Sequence, residues 1–330
     1  MGRGTILVTG GAGYIGSHVV LQLRERGESV VVLDDLSRGF RQSVLDTPLV
    51  VGDMADRALV TRLLREHAVD TVMHFAAFTI VPESVRDPLK YYANNVCGTR
   101  NLLQCCAESG VRHFVFSSSA AVYGTPASDL AAEDSATAPI NSYGTSKLIS
   151  EWMLRDLAFA SDLRYVALRY FNVAGSDMGG RIGQATPGAT LLIKVASEAT
   201  VGKRPHVSIF GTDYPTPDGT GIRDYIHVQD LAAAHLAALD HLRHDGASAV
   251  LNCGYGHGYS VRQVLDSVQR VSGRSLTIRE EPRRPGDPAV LVAKAERIRA
   301  LLGWSPTLDD LDTIVRSSLD WEAKLLREPW

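Results

Sequence analysis

Tyr143 and Lys147 stand four residues apart in the run Tyr143-Gly144-Thr145-Ser146-Lys147. On a helix that spacing puts both side chains on one face. A phenol titrates near about 10 in water, and an ammonium one turn away favours its ionised form. The pair can therefore supply a base near neutral pH. Ser119 is a third candidate, because it ends the apolar run His113-Phe114-Val115-Phe116 together with Ser117 and Ser118. A hydroxyl there can hydrogen-bond a substrate hydroxyl and steady or relay its proton. A Tyr-x-x-x-Lys pair alone is common and takes its meaning from what surrounds it.

The surroundings include a glycine loop. Thr9-Gly10-Gly11-Ala12-Gly13-Tyr14-Ile15-Gly16 follows the apolar run Thr5-Ile6-Leu7-Val8 and opens a helical pattern that ends in Arg24-Glu25-Arg26-Gly27. Glycines 11, 13 and 16 fit G-x-G-x-x-G, and glycines 10, 13 and 16 fit the looser G-x-x-G-x-x-G. One glycine allows the tight turn, one lets backbone N–H groups approach a pyrophosphate, and one lets helix pack on strand. The helix N-terminus then faces the anion. Asp34 closes the next apolar run, 18 residues after Gly16. An acid at that distance accepts hydrogen bonds from the adenosine ribose and repels a 2′-phosphate, so NAD is expected rather than NADP. Its positive nicotinamide ring would join Lys147 in favouring the Tyr143 phenolate, and Lys147 can also hold the nicotinamide ribose. Arg38, close by, reads as a solvated loop residue.

Such residues need a scaffold that gathers loops at one edge. Apolar runs at 5–8, 28–34, 49–51, 71–75, 113–116 and 164–169 alternate with helical patterns. The predicted helices run to about His67, from about 89 to 109 with Gly110 as a stop, and from near Tyr143 to about Ala160. This alternation predicts a Rossmann-type α/β fold, a doubly wound parallel sheet covered on both faces, with ligands at the C-terminal strand ends. After about residue 175, Gly and Pro become frequent, as in 211–219. The expected division is 1–175 for NAD binding and 176–330 mainly for a smaller, interleaved α/β substrate lobe. A segment at about 225–255 is expected to return to the first part, with Ala249-Val250-Leu251 rejoining the main sheet.

Composition narrows the classes. The chain has 330 residues, 45% hydrophobic and 22% charged, with a net charge of −3. That fits a globular protein with a sizeable core and gives no basic field for nucleic acid or a membrane surface. No apolar run reaches the roughly 18 residues of a membrane span, and a strand pattern starts too early to leave room for a signal peptide. Cys97, Cys105, Cys106 and Cys253 form no C-x-x-C pair and no metal-ligand spacing, so reduced thiols in the cytoplasm and no metal are expected.

The glycine loop with Ser119, Tyr143 and Lys147 resembles the extended branch of the short-chain dehydrogenase/reductase superfamily. Within it, residues 115–124, 169–172, 209–214, 219–228 and 283–287 are similar to the UDP-glucose 4-epimerase (UDP-galactose 4-epimerase) family, and the similarity spans 5–304. The resemblance implies a catalytic set of Ser119, Tyr143 and Lys147. It implies cofactor contacts at Gly10, Gly13, Tyr14, Ile15, Gly16, Asp34, Phe75, Ala76, Ala77, Tyr143, Lys147 and Tyr170, with Asp53 and Met54 at the adenine and Asn94 near the NAD phosphates. Asn172, Arg223 and Arg284 would clamp the UDP diphosphate, a task that suits forked guanidinium groups. Phe210 would lie beside uracil, Asp287 on the uridine ribose, and Tyr170 in the sugar pocket, with Ser119 and Tyr143 at the sugar itself.

The implied reaction inverts C4 of UDP-glucose or UDP-galactose through a 4-keto sugar, on NAD that stays bound. Epimerisation of UDP-GlcNAc/GalNAc or UDP-xylose/arabinose is the near alternative. A 4,6-dehydratase would need acid–base groups where Ala120 and Ala121 stand, and a non-catalytic NAD(H) sensor would be expected to lack Tyr143 or Lys147. The resemblance also implies a homodimer through the helices near 89–109 and 146–160. The chain departs from the family at Thr79, where many relatives have Lys, and at Ala121, where Thr is common. It departs again at Leu191-Leu192-Ile193-Lys194, where relatives have Asn or His before Leu-Ile-Pro. Leu291 stands where some relatives have Tyr, and a smaller side chain there can admit a 2-acetamido group.

Overall fold

The computed structural model describes residues 4–284 and 286–330. Seven parallel strands form the main sheet: β1 (Thr5–Thr9), β2 (Val30–Asp34), β3 (Leu49–Val51), β4 (Val69–His74), β5 (His113–Ser117), β6 (Arg164–Tyr170) and β7 (Ala249–Cys253). Their spatial order is β7-β6-β5-β4-β1-β2-β3. Alternate side chains of each strand point to opposite faces. Ile6, Val8, Val30, Val32, Met73, Val115 and Val166 face one core, while Leu7, Val31, Leu33, Val72, Phe114, Phe116 and Ala167 face the other. Helices cover both faces, which is why the strands read as near-continuous apolar runs.

The helices before β6 are α1 (Tyr14–Glu25), α2 (Arg57–Glu66), α3 (Val81–Arg86), α4 (Pro88–Tyr91), α5 (Thr99–Ser109) and α6 (Ser142–Ala160). The single helix predicted near 89–109 is interrupted, because residues Tyr92–Gly98 form a π-helical turn between α4 and α5. Such turns often accompany functional sites. Gly110 ends α5 in the left-handed conformation at φ +73°, as its position suggests. β7 does rejoin the main sheet, pairing in parallel with β6 from Ala249↔Val166 to Cys253↔Tyr170.

The rest of the chain builds α7 (Leu192–Thr200), α8 (Val228–Arg243), α9 (Val261–Ser272), α10 (Glu296–Leu302) and α11 (Leu311–Arg327), with short strands between them. Strands Ile222–Arg223, Tyr259–Ser260, Val290–Ala293 and Leu130–Ala131 make a four-stranded sheet, to which the first half of the chain contributes the last member. No helix among the described residues is long and apolar enough to cross a membrane.

Folding buries five histidines, His18, His74, His113, His227 and His235, and burial lowers the pKa of each. Burial pushes His74 down to about 3, and His18, His227 and His235 down to about 4, from an ordinary value of 6.5. Their folded pKa values lie below the unfolded one, so the unfolded chain takes up protons first as pH falls. This contribution to stability is complete above about 6.5 and lost towards 4. The melting temperature, followed by circular dichroism, is expected to drop across that interval; a flat profile from about pH 7 to 4 would contradict the buried-neutral assignment.

Candidate active site

The chain runs outward from β1 to β2 and β3, then returns across the sheet to β4. Ligands in doubly wound sheets bind at such a reversal. There Gly10, Gly13, Asp34, Arg38, Asp53, Met54, Phe75, Ala76, Ala77 and Asn94 line an open cleft enclosing about 570 Å³ with its mouth. The Thr9 carbonyl accepts from Phe75 N at 2.8 Å and Ala76 N at 3.1 Å, drawing the loop after β4 onto the glycine turn. Gly10 lies at φ +72°, and a Cβ there would sit 2.7 Å from Ala76 Cα. A Cβ on Gly16 would sit 2.9 Å from Gly11 Cα, so the helix approaches the turn only because that residue is glycine. On Gly13 a Cβ would meet Gly10 O at 3.2 Å and nothing else within 4 Å, projecting into the cleft.

Gly13 caps α1 with no side-chain bond, so the first-turn N–H groups at Tyr14, Ile15 and Gly16 have no intrahelical partner. The Tyr14 side chain turns elsewhere, its hydroxyl donating to Gly175 O at 2.7 Å, and Ile15 packs against the core. What these two residues offer a ligand is backbone. Asp34 is buried, accepting from Ala12 N at 2.9 Å and Leu36 N at 2.8 Å. Burial raises its pKa and the two bonds pull it back. Each oxygen keeps a lone pair for a hydroxyl. Arg38 is not simply solvated, since Glu83 pairs with it at 3.4 Å. A glycine turn, a helix N-terminus and a buried acceptor in this order fit NAD.

The catalytic candidates meet on the far side of β4. Asn141 caps α6 by accepting from Gly144 N at 2.9 Å, and the helix then presents Tyr143 and Lys147, both buried, on one face. Ser119 follows β5 and caps a short 3-10 turn, accepting from Ala121 N at 3.2 Å. Burial raises the Tyr143 pKa, and a hydrogen bond with Ser119 lowers it. Lys147 Nζ donates to Ser117 O at 2.8 Å and lies 5.0 Å from the Phe116 ring centre. Burial brings its pKa down to about 7, opposed by Glu151. The interaction that favours the phenolate in this structure is thus the Ser119 bond, whereas Lys147 is anchored on the end of β5. Tyr170 is tied to the same strand end, its hydroxyl accepting from Ser117 Oγ at 2.8 Å.

The residues expected on the nucleotide gather in the second lobe. Arg223 and Leu291 are register partners on neighbouring parallel strands, and Arg223 pairs with Asp287 at 3.5 Å. The Arg284 guanidinium lies 3.9 Å from the Phe210 ring centre, a cation–π contact. Asn172 joins this group through its backbone, which donates to Asp224 O at 3.0 Å. Pro285, in the middle of the 283–287 motif, lies outside the described residues. Thr79 is exposed and does not line the cleft. Lys194, where relatives differ, is buried, donating to Gln184 O at 2.7 Å and pairing with Glu322.

Sequence reasoning passed over Asn95. Its side chain accepts from Phe78 N at 2.8 Å and donates to Phe78 O at 3.0 Å and Ser146 Oγ at 3.0 Å. It therefore joins a cleft-wall residue to the helix of Tyr143 and Lys147. Asn94 donates to it at 2.9 Å. The doublet Asn94-Asn95 was visible, but nothing local said which member faced the cleft.

The model of the NAD dependent epimerase/dehydratase family matches residues 6–254. The UDP-glucose 4-epimerase of Azospirillum brasilense is 57% identical over 321 residues, covering 97% of this chain and 92% of that protein. Among solved structures, the Brucella ovis UDP-glucose 4-epimerase in complex with NAD superposes with a TM-score of 0.94 at 44% identity, covering 96% of this chain and 98% of that one. The Campylobacter jejuni UDP-Glc/GlcNAc 4-epimerase gives 0.87 at 47% identity, covering 98% and 100%.

Proposed function

This chain belongs to the NAD dependent epimerase/dehydratase family, and we propose that it is an NAD-dependent isomerase that interconverts UDP-glucose and UDP-galactose. The observation that carries the reading is the meeting of Tyr143, Ser119 and Lys147 at one end of β5, joined by Asn95 to the wall of the glycine-lined cleft. When bound in the glycine-lined cleft, NAD would supply a hydride acceptor and donor for C4 of the sugar. Tyr143 takes the proton of the 4-hydroxyl and returns it from the same position once the keto sugar has turned its other face. Ser119 orients that hydroxyl and stabilises the phenolate through its hydrogen bond. Lys147 holds the nicotinamide ribose and supplies positive charge. Arg223, Arg284, Asn172, Asp287 and Phe210 grip UDP, which leaves the hexose free to rotate between half-reactions. In this reading residues 1–175 with about 225–255 serve the cofactor, and the remainder mainly serves UDP.

Incubation with UDP-galactose, UDP-GalNAc and UDP-arabinopyranose separately, with products resolved by chromatography, tests the assignment. UDP-glucose is expected from the first, and its absence would overturn the reading. Leu291, the register neighbour of Arg223, carries a second activity in this reading, because some relatives have Tyr there and a smaller side chain can admit a 2-acetamido group; turnover of UDP-GalNAc to UDP-GlcNAc is the expected sign. The clamp has its own check. Arg223→Ala removes a charged hydrogen-bond donor worth about 1.5–3 kcal/mol, so KM for UDP-galactose should rise about 10–100-fold with kcat little changed. A fall in kcat at constant KM would move Arg223 out of the nucleotide grip.

Trp152 and Phe159 on α6, seven residues apart, are 47% and 95% exposed, and Leu89 on α4 is 76% exposed. We read these apolar side chains as a homodimer face built from the α4–α5 and α6 region. Trp152→Arg with Phe159→Glu should convert a sedimenting dimer to monomer; a monomeric wild type would refute the face. All four cysteines are free thiols, which suits a reducing cytoplasm, and the proposed substrates place the reaction in galactose metabolism.

A further inference from the structure

Glu151 stands one helical turn beyond Lys147, and the reaction outlined above gives it no task. Its side chain is nevertheless buried. One carboxylate oxygen accepts from Ser118 Oγ at 2.5 Å and Arg169 Nε at 2.9 Å, and the other accepts from Arg169 Nη2 at 2.6 Å. Arg169 Nη1 donates to the Tyr123 hydroxyl at 3.0 Å, which donates to Asn252 Oδ1 at 2.6 Å. The two residues that Glu151 holds, Ser118 just past β5 and Arg169 in β6, are neighbours of site residues. Ser118 lies between Ser117, whose carbonyl accepts from Lys147, and Ser119, which bonds Tyr143. Arg169 precedes Tyr170, which is bonded to Ser117. A single carboxylate thus joins α6 to the ends of β5 and β6.

A buried ion pair is a poor device for stability alone, because desolvation offsets most of the attraction and apolar packing does as well. We propose that Glu151 is a positioning residue for the epimerase chemistry, fixing α6 in register with the ends of β5 and β6 and holding Lys147 in its ammonium form. This rests on the function proposed above. The groups facing Lys147 leave that electrostatic task to Glu151. From β4 comes His74, which burial keeps neutral. From β5 come the neutral Phe116 ring and the Ser117 carbonyl. From β6 come Tyr170, held neutral by burial, and Arg169, whose charge Glu151 already meets. On α6 itself, Tyr143 is held towards its neutral form by burial. Burial lowers Lys147 and the Glu151 charge opposes it. Removing that charge lowers Lys147 further, so its proton is lost at a lower pH.

The test compares wild type with Glu151→Gln, which keeps the shape and an acceptor for Ser118. In the full-length protein with lysine labelled at Cε with ¹³C, and Lys147 assigned through Lys147→Arg, the NMR titration midpoint of Lys147 should fall by about one pH unit or more. The alkaline limb of kcat for UDP-galactose should move the same way, with kcat reduced about tenfold or more and KM within about threefold. Glu151→Asp restores the charge but not the reach, so it should lose kcat with the limb near its wild-type position. Glu151→Gln with Arg169→Met leaves no unpaired buried cation; if the single variant fails to fold, it should show a midpoint shift in the same direction, smaller because the Arg169 charge is lost as well. An unchanged Lys147 midpoint in the Gln variants, or a loss of kcat matched by KM with no change in pH profile, overturns the proposal. The NMR midpoint needs no turnover, so failure of the substrate assignment is read separately from wild-type activity.

Discussion

Tyr143→Phe is expected to lower kcat by about 10²–10⁴-fold, the range that a positioned acid–base group contributes, while the protein keeps its NAD. The ring of Tyr143 is buried, and phenylalanine fills the same volume, so α6 and its cap at Asn141 should be undisturbed. What disappears is the hydroxyl that bonds Ser119 and would carry the sugar proton. Ser119 does not replace it, because its hydroxyl oxygen already accepts from Ala121 N. The measurement is turnover of UDP-galactose beside the NAD content released on denaturation. A variant with full NAD and less than a tenfold loss would assign the base elsewhere and revive a sensing role.

Gly10→Ala is expected to remove both stability and cofactor. Gly10 sits at φ +72°, where a side chain costs about 1–2 kcal/mol. The added methyl would also overlap the Ala76 backbone, 2.7 Å from its Cα, and overpacking of this kind costs about 1–3 kcal/mol. The neighbour cannot move freely, because Phe75 N and Ala76 N are both bonded to Thr9 O. The combined cost of about 2–5 kcal/mol falls at the floor of the dinucleotide cleft. A lowered urea midpoint together with purified protein poor in NAD is the expected result. Wild-type NAD content at unchanged stability would show that the turn is not where the cofactor rests.

Much of this was readable before any coordinates, and for identifiable reasons. Gly10, Gly13, Gly16 and Asp34 act through short-range spacing, and Tyr143 with Lys147 through the pitch of one helix, so their grouping follows from local rules. The apolar strands declared themselves because both faces of the sheet are covered. Other features depend on where distant segments meet. Glu151 is bonded to Ser118 and Arg169, and neither pairing has a local spacing that marks it. Arg223 on Asp287 and Arg284 on Phe210 belong to the same class. Asn95 was missed because it acts from the π-helical turn at Tyr92–Gly98, and helical periodicity alone does not reveal an extra residue in a turn. The ammonium of Lys147 settles on Ser117 O, a choice of rotamer that spacing leaves open.

The position of β7 has a bearing on how the molecule is made. Residues 249–253 supply the edge of the main sheet beyond β6, although six of its strands are already complete by residue 170. A nascent chain emerging from the ribosome must therefore carry the bare flank of β6, with unpaired amides and carbonyls, while some eighty further residues are synthesised, at roughly 5–20 per second. Exposed strand flanks invite pairing with other chains. The vulnerable interval in the life of this protein is thus a matter of seconds during translation, and a chain cut short before β7 should be prone to aggregate rather than persist as a smaller nucleotide binder.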